Sequence, residues 1–251
     1  MSVRLTDKVT WIKDCFKSDE GFHQHLNLYL VESSDGTFLI DSGPWNHREK
    51  IKAEINNQLN GRDLDAVVLT HADLPHSGNV PHFLEEWGTT ELWFTSTNPE
   101  MQGFEHIDVH RGILDQKMNI AGHQIEFIPA PLVDRPHTSW MFDFTTDTLY
   151  SADAFGCYHT QNQCDLTSDD LDEGLNFNHI LNFNRDTFKW LNYAEADRIC
   201  ERIKQDIEKY DPEIIAPSHG HPIYKEDIGN YLSHFEDAVK KIESEYEVGL
   251  V

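Results

Sequence analysis

Apolar residues recur along this chain in two rhythms. The alternating or continuous runs at 9–12 (Val-Thr-Trp-Ile) and 26–31 (Leu-Asn-Leu-Tyr-Leu-Val) predict β-strands. Ser33-Ser34-Asp35-Gly36 is a turn that returns the chain into a strand over 37–41. Residues 48–59 switch to helical spacing, with Ile51, Ile55 and Leu59 four apart, and 64–69 is a short apolar strand. The second half repeats the order. Strands are predicted at 91–95, 124–128, 140–144 and 148–151, a long helix at 192–209, a strand at 213–216 and a last amphipathic helix at 227–246. Strands followed by mixed strand and helix, twice over, predict an α/β protein of two β-sheets packed together with helices outside. No repeat and no Pro/Gly/Ser linker divides residues 1–251, so a single domain is expected.

Composition narrows the function classes. Apolar residues make up 39% of 251 and aromatics 11%, enough for a folded core, and no apolar run exceeds strand length, so no membrane span is expected. The N-terminus lacks the apolar core of a signal peptide, which makes the cytoplasm the expected compartment. Cys15, Cys157, Cys164 and Cys200 are scattered without a CxxC pair, so buried or free thiols are expected rather than a disulfide framework or a cysteine metal site. Asp and Glu outnumber Lys and Arg 44 to 20, for a net charge of −24. That charge repels nucleic acid and anionic membranes and removes both as partners. It suits a solvated surface screened by high salt, or an acidic dock for a cationic partner; screening favours the first.

Of the fifteen histidines, His47, His82, His106, His110, His123, His179 and His234 lie among polar residues and read as surface or loop positions. His71 and His76 differ, because they share one loop with Asp73. Asp153 closes the strand of Leu149-Tyr150-Ser151-Ala152-Asp153, and His219 follows the strand of Ile215-Ala216-Pro217-Ser218-His219. Imidazole and carboxylate presented together at strand ends suit Zn, Fe or Mn.

These stretches resemble a known family. Thr70-His71-Ala72-Asp73-Leu74-Pro75-His76-Ser77-Gly78 is similar to the THxHxDHxG motif of the metallo-β-lactamase αββα sandwich, and more so to the THxExDHxG form of flavodiiron proteins. The resemblance continues through Asn27-Leu28-Tyr29-Leu30-Val31, Leu39-Ile40-Asp41-Ser42-Gly43, Ala130-Pro131, Ser151-Ala152-Asp153-Ala154-Phe155-Gly156 and Ile215-Ala216-Pro217-Ser218-His219-Gly220. It implies a ligand set of His71, Asp73 (where the branch has Glu), His76, Asp134 (nineteen residues before Asp153, where the branch has His), bridging Asp153 and His219. Pro75 stands where the family has a ligand aspartate. A carboxylate lost at 75 and another gained at 134 keep the anionic charge of the set. One metal would see His71, Asp73, Asp134 and Asp153; the other would see His76, His219 and Asp153, a two-histidine-one-carboxylate set. His137 is a spare histidine near Asp134. His23 and His25 lie where the family carries a histidine beside the metal ligands, orienting them. Tyr158 and His159 would border the pocket.

Flavodiiron proteins reduce O2 to water or NO to N2O with electrons from FMN in a flavodoxin domain. This chain stops about thirty residues after His219 and carries no FMN-binding loop, so the resemblance implies a stand-alone diiron domain without FMN. The expected cofactor is two iron ions, with one metal only, or Zn or Mn, as alternatives. O2 or NO would be the ligand, a separate flavoprotein or other protein the electron donor, and a head-to-tail homodimer the assembly. Two other readings stay open: a zinc hydrolase, and a metal-poor sensor or partner subunit.

Overall fold

The computed structural model describes residues 2–249 apart from 19, 20, 89, 97, 99, 101 and 102. Its strands form two mixed sheets, one of seven strands in the order β1-β2-β3-β4-β5-β6-β7 and one of six in the order β13-β12-β11-β10-β9-β8. In chain order these are β1 (Ser2–Arg4), β2 (Val9–Lys17), β3 (His23–Glu32), β4 (Thr37–Ile40), β5 (Ala66–Val68), β6 (Glu91–Phe94) and β7 (Val109–Arg111), then β8 (Lys117–Ile120), β9 (His123–Pro129), β10 (Ser139–Asp143), β11 (Thr148–Tyr150), β12 (Ile214–Ala216) and β13 (Ile223–Tyr224). Among the described residues the α-helices that accompany them are α1 (Arg48–Leu59), α2 (Leu74–Ser77), α3 (Val80–Trp87), α4 (Phe177–Thr187), α5 (Ala196–Tyr210) and α6 (Lys225–Gly249). The chain divides into two compact units, Met1–Asp14 with Leu26–Pro129 and Arg135–Thr146, and Cys15–His25 with Ala130–Asp134 and Asp147–Val251. Among the described residues no helix is long and apolar enough to cross a membrane.

In the first unit, β3 and β4 form an antiparallel hairpin and β4, β5, β6 and β7 run parallel. The stripe Ile51, Ile55 and Leu59 of α1 packs with Leu28, Leu30, Leu39 and Val67 of the sheet and Phe83 of α3. Burying such side chains contributes roughly 1.5–3 kcal/mol each, which is why α1 forms where its four-residue spacing predicts it. Strands β8, β9 and β10 form an antiparallel meander, with Trp140 opposite Ile128. One expectation is corrected here. His123 is not a surface residue: it is wholly buried, and its Nδ1 lies 2.7 Å from the equally buried Asp143 carboxylate. The polar residues around it in sequence alternate away from it across the strand, so local composition misplaces it.

The second unit sets β11 parallel to β12, with β13 antiparallel beside it, and packs α4 and α5 on α6. The helix expected at 192–209 is broken at its start. A 3-10 turn covers Lys189–Tyr193, Ala194 is extended at ψ 155°, and α5 begins at Ala196. Two glycines show how tightly the strand-end loops of this unit are packed. A Cβ on Gly156 would stand 2.2 Å from the Phe183 ring. Gly220 has φ +89°, and a Cβ there would stand 2.7 Å from the Cys157 amide nitrogen. Gly156→Ala should therefore destabilise the protein by about 1–3 kcal/mol through overpacking. Urea denaturation checks this, and Phe183→Leu in the same chain should restore part of the loss.

Candidate metal centre

Parallel pairing decides which loops meet. β4 and β5 pair with Ile40 opposite Val68, so both chains leave the sheet at the same edge, one into Asp41 and the other into Thr70 and His71. Asp41 is buried and left-handed at φ 59°, which turns its carboxylate back over that edge. The carboxylate accepts the backbone N–H of Thr70 at 2.9 Å, the Thr70 hydroxyl at 2.9 Å and Nδ1 of His76 at 3.0 Å. With its proton committed to Asp41, the Thr70 hydroxyl oxygen accepts from Nδ1 of His71, 3.0 Å away. Both imidazoles therefore carry their proton on Nδ1 and their lone pair on Nε2, with ring centroids 4.0 Å apart. A carboxylate behind a histidine is the usual way to orient and strengthen a metal ligand.

Pro75 has a local explanation. It lies in the first turn of α2, capped by Asp73, where a backbone N–H would have no partner within the helix. The Asp73 carbonyl accepts the amides of His76 at 2.9 Å and Ser77 at 2.8 Å. The Ser42 amide and hydroxyl both donate to the His76 carbonyl, at 2.6 and 2.9 Å, and Asn79 bonds back to Ser42 and Gly43. A side chain at 78 would strike the Leu74 carbonyl at 2.7 Å. The turn thus fixes His76 without any metal contact from position 75. The Asp73 carboxylate itself is held by Arg135, with Oδ1 2.6 Å from Nε, in a half-exposed ion pair.

The second unit repeats the arrangement. β11 and β12 are parallel, with Tyr150 opposite Ala216, so Asp153 and His219 follow neighbouring strand ends. Ser218 donates its amide to the Ala152 carbonyl at 2.7 Å, and the Ser151 hydroxyl donates to the Ala154 carbonyl at 2.9 Å. Ala152 and Phe155 are both left-handed. Asp153 and His219 are buried, with Oδ1 and Nε2 3.3 Å apart. Nδ1 of His219 donates to the His25 carbonyl at 2.6 Å, with the Gln24 amide a longer contact at 3.2 Å. This histidine too directs Nε2 towards the carboxylate. Asp134 is half-buried on a loop whose Val133 carbonyl accepts Nε1 of Trp190 at 2.8 Å.

The remaining expected residues have other surroundings. His137 is left-handed at φ 68°; its carbonyl accepts the Thr95 hydroxyl and its ring stands edge-on to Phe94. The Tyr158 hydroxyl donates to Asp186 and its ring stacks on Phe22. His159 is buried and stacked on His25 at 3.8 Å. Burial first, then the neighbouring His25, His221, His23 and His179, hold its pKa far below the ordinary imidazole range, so it is neutral. Sequence reasoning assigned no role to Asp41 or Arg135. Asp41 did carry a signal, because a carboxylate closes an apolar strand there just as Asp153 does.

Asp41→Asn keeps the shape but offers His76 an amide in place of a carboxylate, loosening the preference for a proton on Nδ1. Affinity for Fe(II) or Zn(II), measured by competition with a chromophoric chelator, should fall about 10–100-fold.

The profile of the ODP family of beta lactamases matches residues 24–220. Type A flavoprotein fprA of Rhodobacter capsulatus is 24% identical over 221 residues, covering 83% of this chain and 47% of its own, so the chain spans about half the length of that relative. Among solved structures, a mutant flavo di-iron protein from Thermotoga maritima superposes with TM-score 0.80 at 17% identity, covering 96% of this chain and 62% of that one. Rubredoxin oxygen:oxidoreductase from Desulfovibrio gigas does so with TM-score 0.80 at 16% identity and the same coverages. Both likenesses establish the fold, two mixed sheets flanked by helices in the metallo-β-lactamase manner. With its profile match running from β3 to the loop after β12, the chain belongs to the ODP family of beta lactamases, and its core has the shape of the diiron core of flavodiiron proteins.

Proposed function

We propose that this protein is a non-haem iron protein that binds or reduces O2 or NO with electrons from a separate donor. The observation that carries the reading is the common orientation of three histidines. His71, His76 and His219 each commit Nδ1 to a fixed acceptor (the Thr70 hydroxyl, the Asp41 carboxylate and the His25 carbonyl), which puts the lone pair on Nε2. Other histidines of the chain also commit Nδ1, His123 to Asp143 and His221 to the Leu166 carbonyl; what sets these three apart is that each stands in a loop after a parallel strand, and His219 faces Asp153. Such donors, with Asp153, fit a borderline metal ion such as iron. That all of them, with Asp73 and Asp134, serve one centre is the family's arrangement and is proposed on that ground. Iron held there would supply electrons and an open coordination position for a diatomic oxidant. The chain's own residues orient the ligands, and the buried Asp41 and Asp153 provide negative charge against a rising metal charge. Two names support the choice of ligand: the di-iron protein of Thermotoga maritima and the oxygen oxidoreductase of Desulfovibrio gigas. The flavoprotein relative extends beyond the matched region, which fits an electron donor supplied outside these residues.

One observation favours a second reading, a mononuclear sensor or partner subunit. Asp73 is already paired with Arg135. A carboxylate that spends its charge on a guanidinium is a poorer ligand, which would weaken the position shared by His71, Asp73 and Asp134.

Anaerobically iron-loaded, dithionite-reduced protein, freed of excess reductant, should consume O2 or NO in an electrode cell and change its visible spectrum. His76→Ala and Asp153→Asn should each reduce consumption by about tenfold or more, an expectation for lost ligands rather than lost packing. A spectral change with no more than one stoichiometric equivalent consumed, even with a donor present, would select the sensor. Neither consumption nor a spectral change would sink both readings.

A further inference from the structure

The chain's cysteines are not as dispersed as their numbering suggests. Cys15 lies near the end of β2, and His23 opens β3, its neighbour in the seven-stranded sheet. His159 lies opposite His23 in an isolated β-bridge: the His23 amide donates to the His159 carbonyl at 2.8 Å, and the His159 amide returns the bond at 2.9 Å. Five residues on, Cys164 closes the 3-10 turn Gln161–Gln163, whose shape is set by a capping box between Thr160 and Gln163. All four side chains belong to the second unit, and their donor atoms lie within 4.8 Å of one another.

We propose that Cys15, His23, His159 and Cys164 form a tetrahedral Cys2His2 site for a structural zinc ion, separate from the histidine–carboxylate ligands. Sulfur–nitrogen separations carry the geometry. Sγ of Cys15 is 3.3 Å from Nδ1 of His23 and 3.2 Å from Nε2 of His159, and Sγ of Cys164 is 3.4 Å from Nδ1 of His23. A zinc tetrahedron with Zn–S about 2.3 Å and Zn–N about 2.0–2.1 Å has sulfur–nitrogen edges of about 3.5 Å. The three measured edges are close to that figure, and all four donor atoms lie within the 4.8 Å that one ion can span.

Charge points the same way. Two thiolates neutralise Zn(II), so the group costs little to enclose beside the wholly buried His159. Neither Cys15 nor Cys164 is held in a disulfide. Around them the packing orients ligands rather than filling space. His25 stacks on His159 and its Nε2 donates to the Cys164 carbonyl at 3.0 Å, while Nδ1 of His221 donates to the Leu166 carbonyl at 2.7 Å. Nothing in this cluster depends on the proposed iron ligands. It does bear on them, because His25 lies two residues from His23 and its carbonyl is the acceptor that orients His219. Zinc would lock the start of β3, which supplies that carbonyl, and so act as a positioning device for the other centre.

The test uses the whole chain, purified with a phosphine reductant and no chelator, with zinc and then cobalt(II) as the probes. One equivalent of zinc should resist gel filtration, and cobalt(II) replacing it should show a thiolate charge-transfer band with the intense visible bands of a tetrahedral ion. This readout needs no variant. The pair C15S/C164S should lose both band and equivalent, whereas C157S/C200S and His71→Ala/His76→Ala should keep them. A cobalt spectrum without the thiolate band would overturn the proposal. So would a band that survives C15S/C164S, or a Cys15–Cys164 disulfide in protein never exposed to oxidant.

Discussion

The buried carboxylate of Asp41 is the constraint on which the first half of the metal-ligand arrangement depends. An ionised side chain taken out of water is costly unless its oxygens are saturated with donors. Here the donors are Thr70, twice, and His76, drawn from two segments that follow β5. Satisfying Asp41 therefore determines where the 70–76 loop sits, which nitrogen of His76 is protonated and, through the Thr70 hydroxyl, which nitrogen of His71 is. A single buried charge sets the chemistry of two imidazoles. The parallel pairing of β4 with β5 makes this workable, since it brings Asp41 and Thr70 out of the same sheet edge.

The same economy explains how the loop tolerates a proline in a ligand position. Position 75 lies in the first turn of α2, where proline loses no helical hydrogen bond. Ser42 and Asn79 then clamp that turn to the segment after β4. The geometry of His76 is thus carried by backbone and by Asp41, not by a neighbouring metal contact. Asp73 has gone the other way, its charge answered by Arg135 in a half-exposed pair that contributes little to stability but competes for the carboxylate. The loop keeps its imidazoles oriented while its carboxylate chemistry is altered.

In the second unit a backbone carbonyl takes the role of Asp41. His219 is oriented by the His25 carbonyl, on a strand end that also carries His23. Position and tautomer there depend on how well residues 23–25 are held against 159–164, where backbone bonds, the His25–His159 stack and the contact of Cys164 with His23 join the two segments.

Local patterns made much of this protein legible. Spacing alone placed α1 at its observed bounds, and a polar residue closing or following an apolar strand marked Asp153 and His219 as positions where a rigid scaffold presents chemistry. Both signals are local because helix and strand periodicities are local. The short helices α2 and α3 and the break before α5 were less visible, since each depends on capping and packing rather than on a long apolar stripe. Pairings between distant segments were not visible at all. His123 reads as a surface histidine until β10 brings Asp143 against it, and Arg135 carries no sign that it will answer Asp73, sixty-two residues away. Cys15 and Cys164 look unrelated because no CxxC spacing links them; neighbouring strands β2 and β3 and a β-bridge from His23 to His159 bring them together. Sequence by itself determined which residue types could carry metal chemistry and that they stand at strand ends, because those follow from composition and period. Only the tertiary structure decided which donors face one another and which nitrogen each histidine offers, because those depend on contacts between residues far apart in the chain.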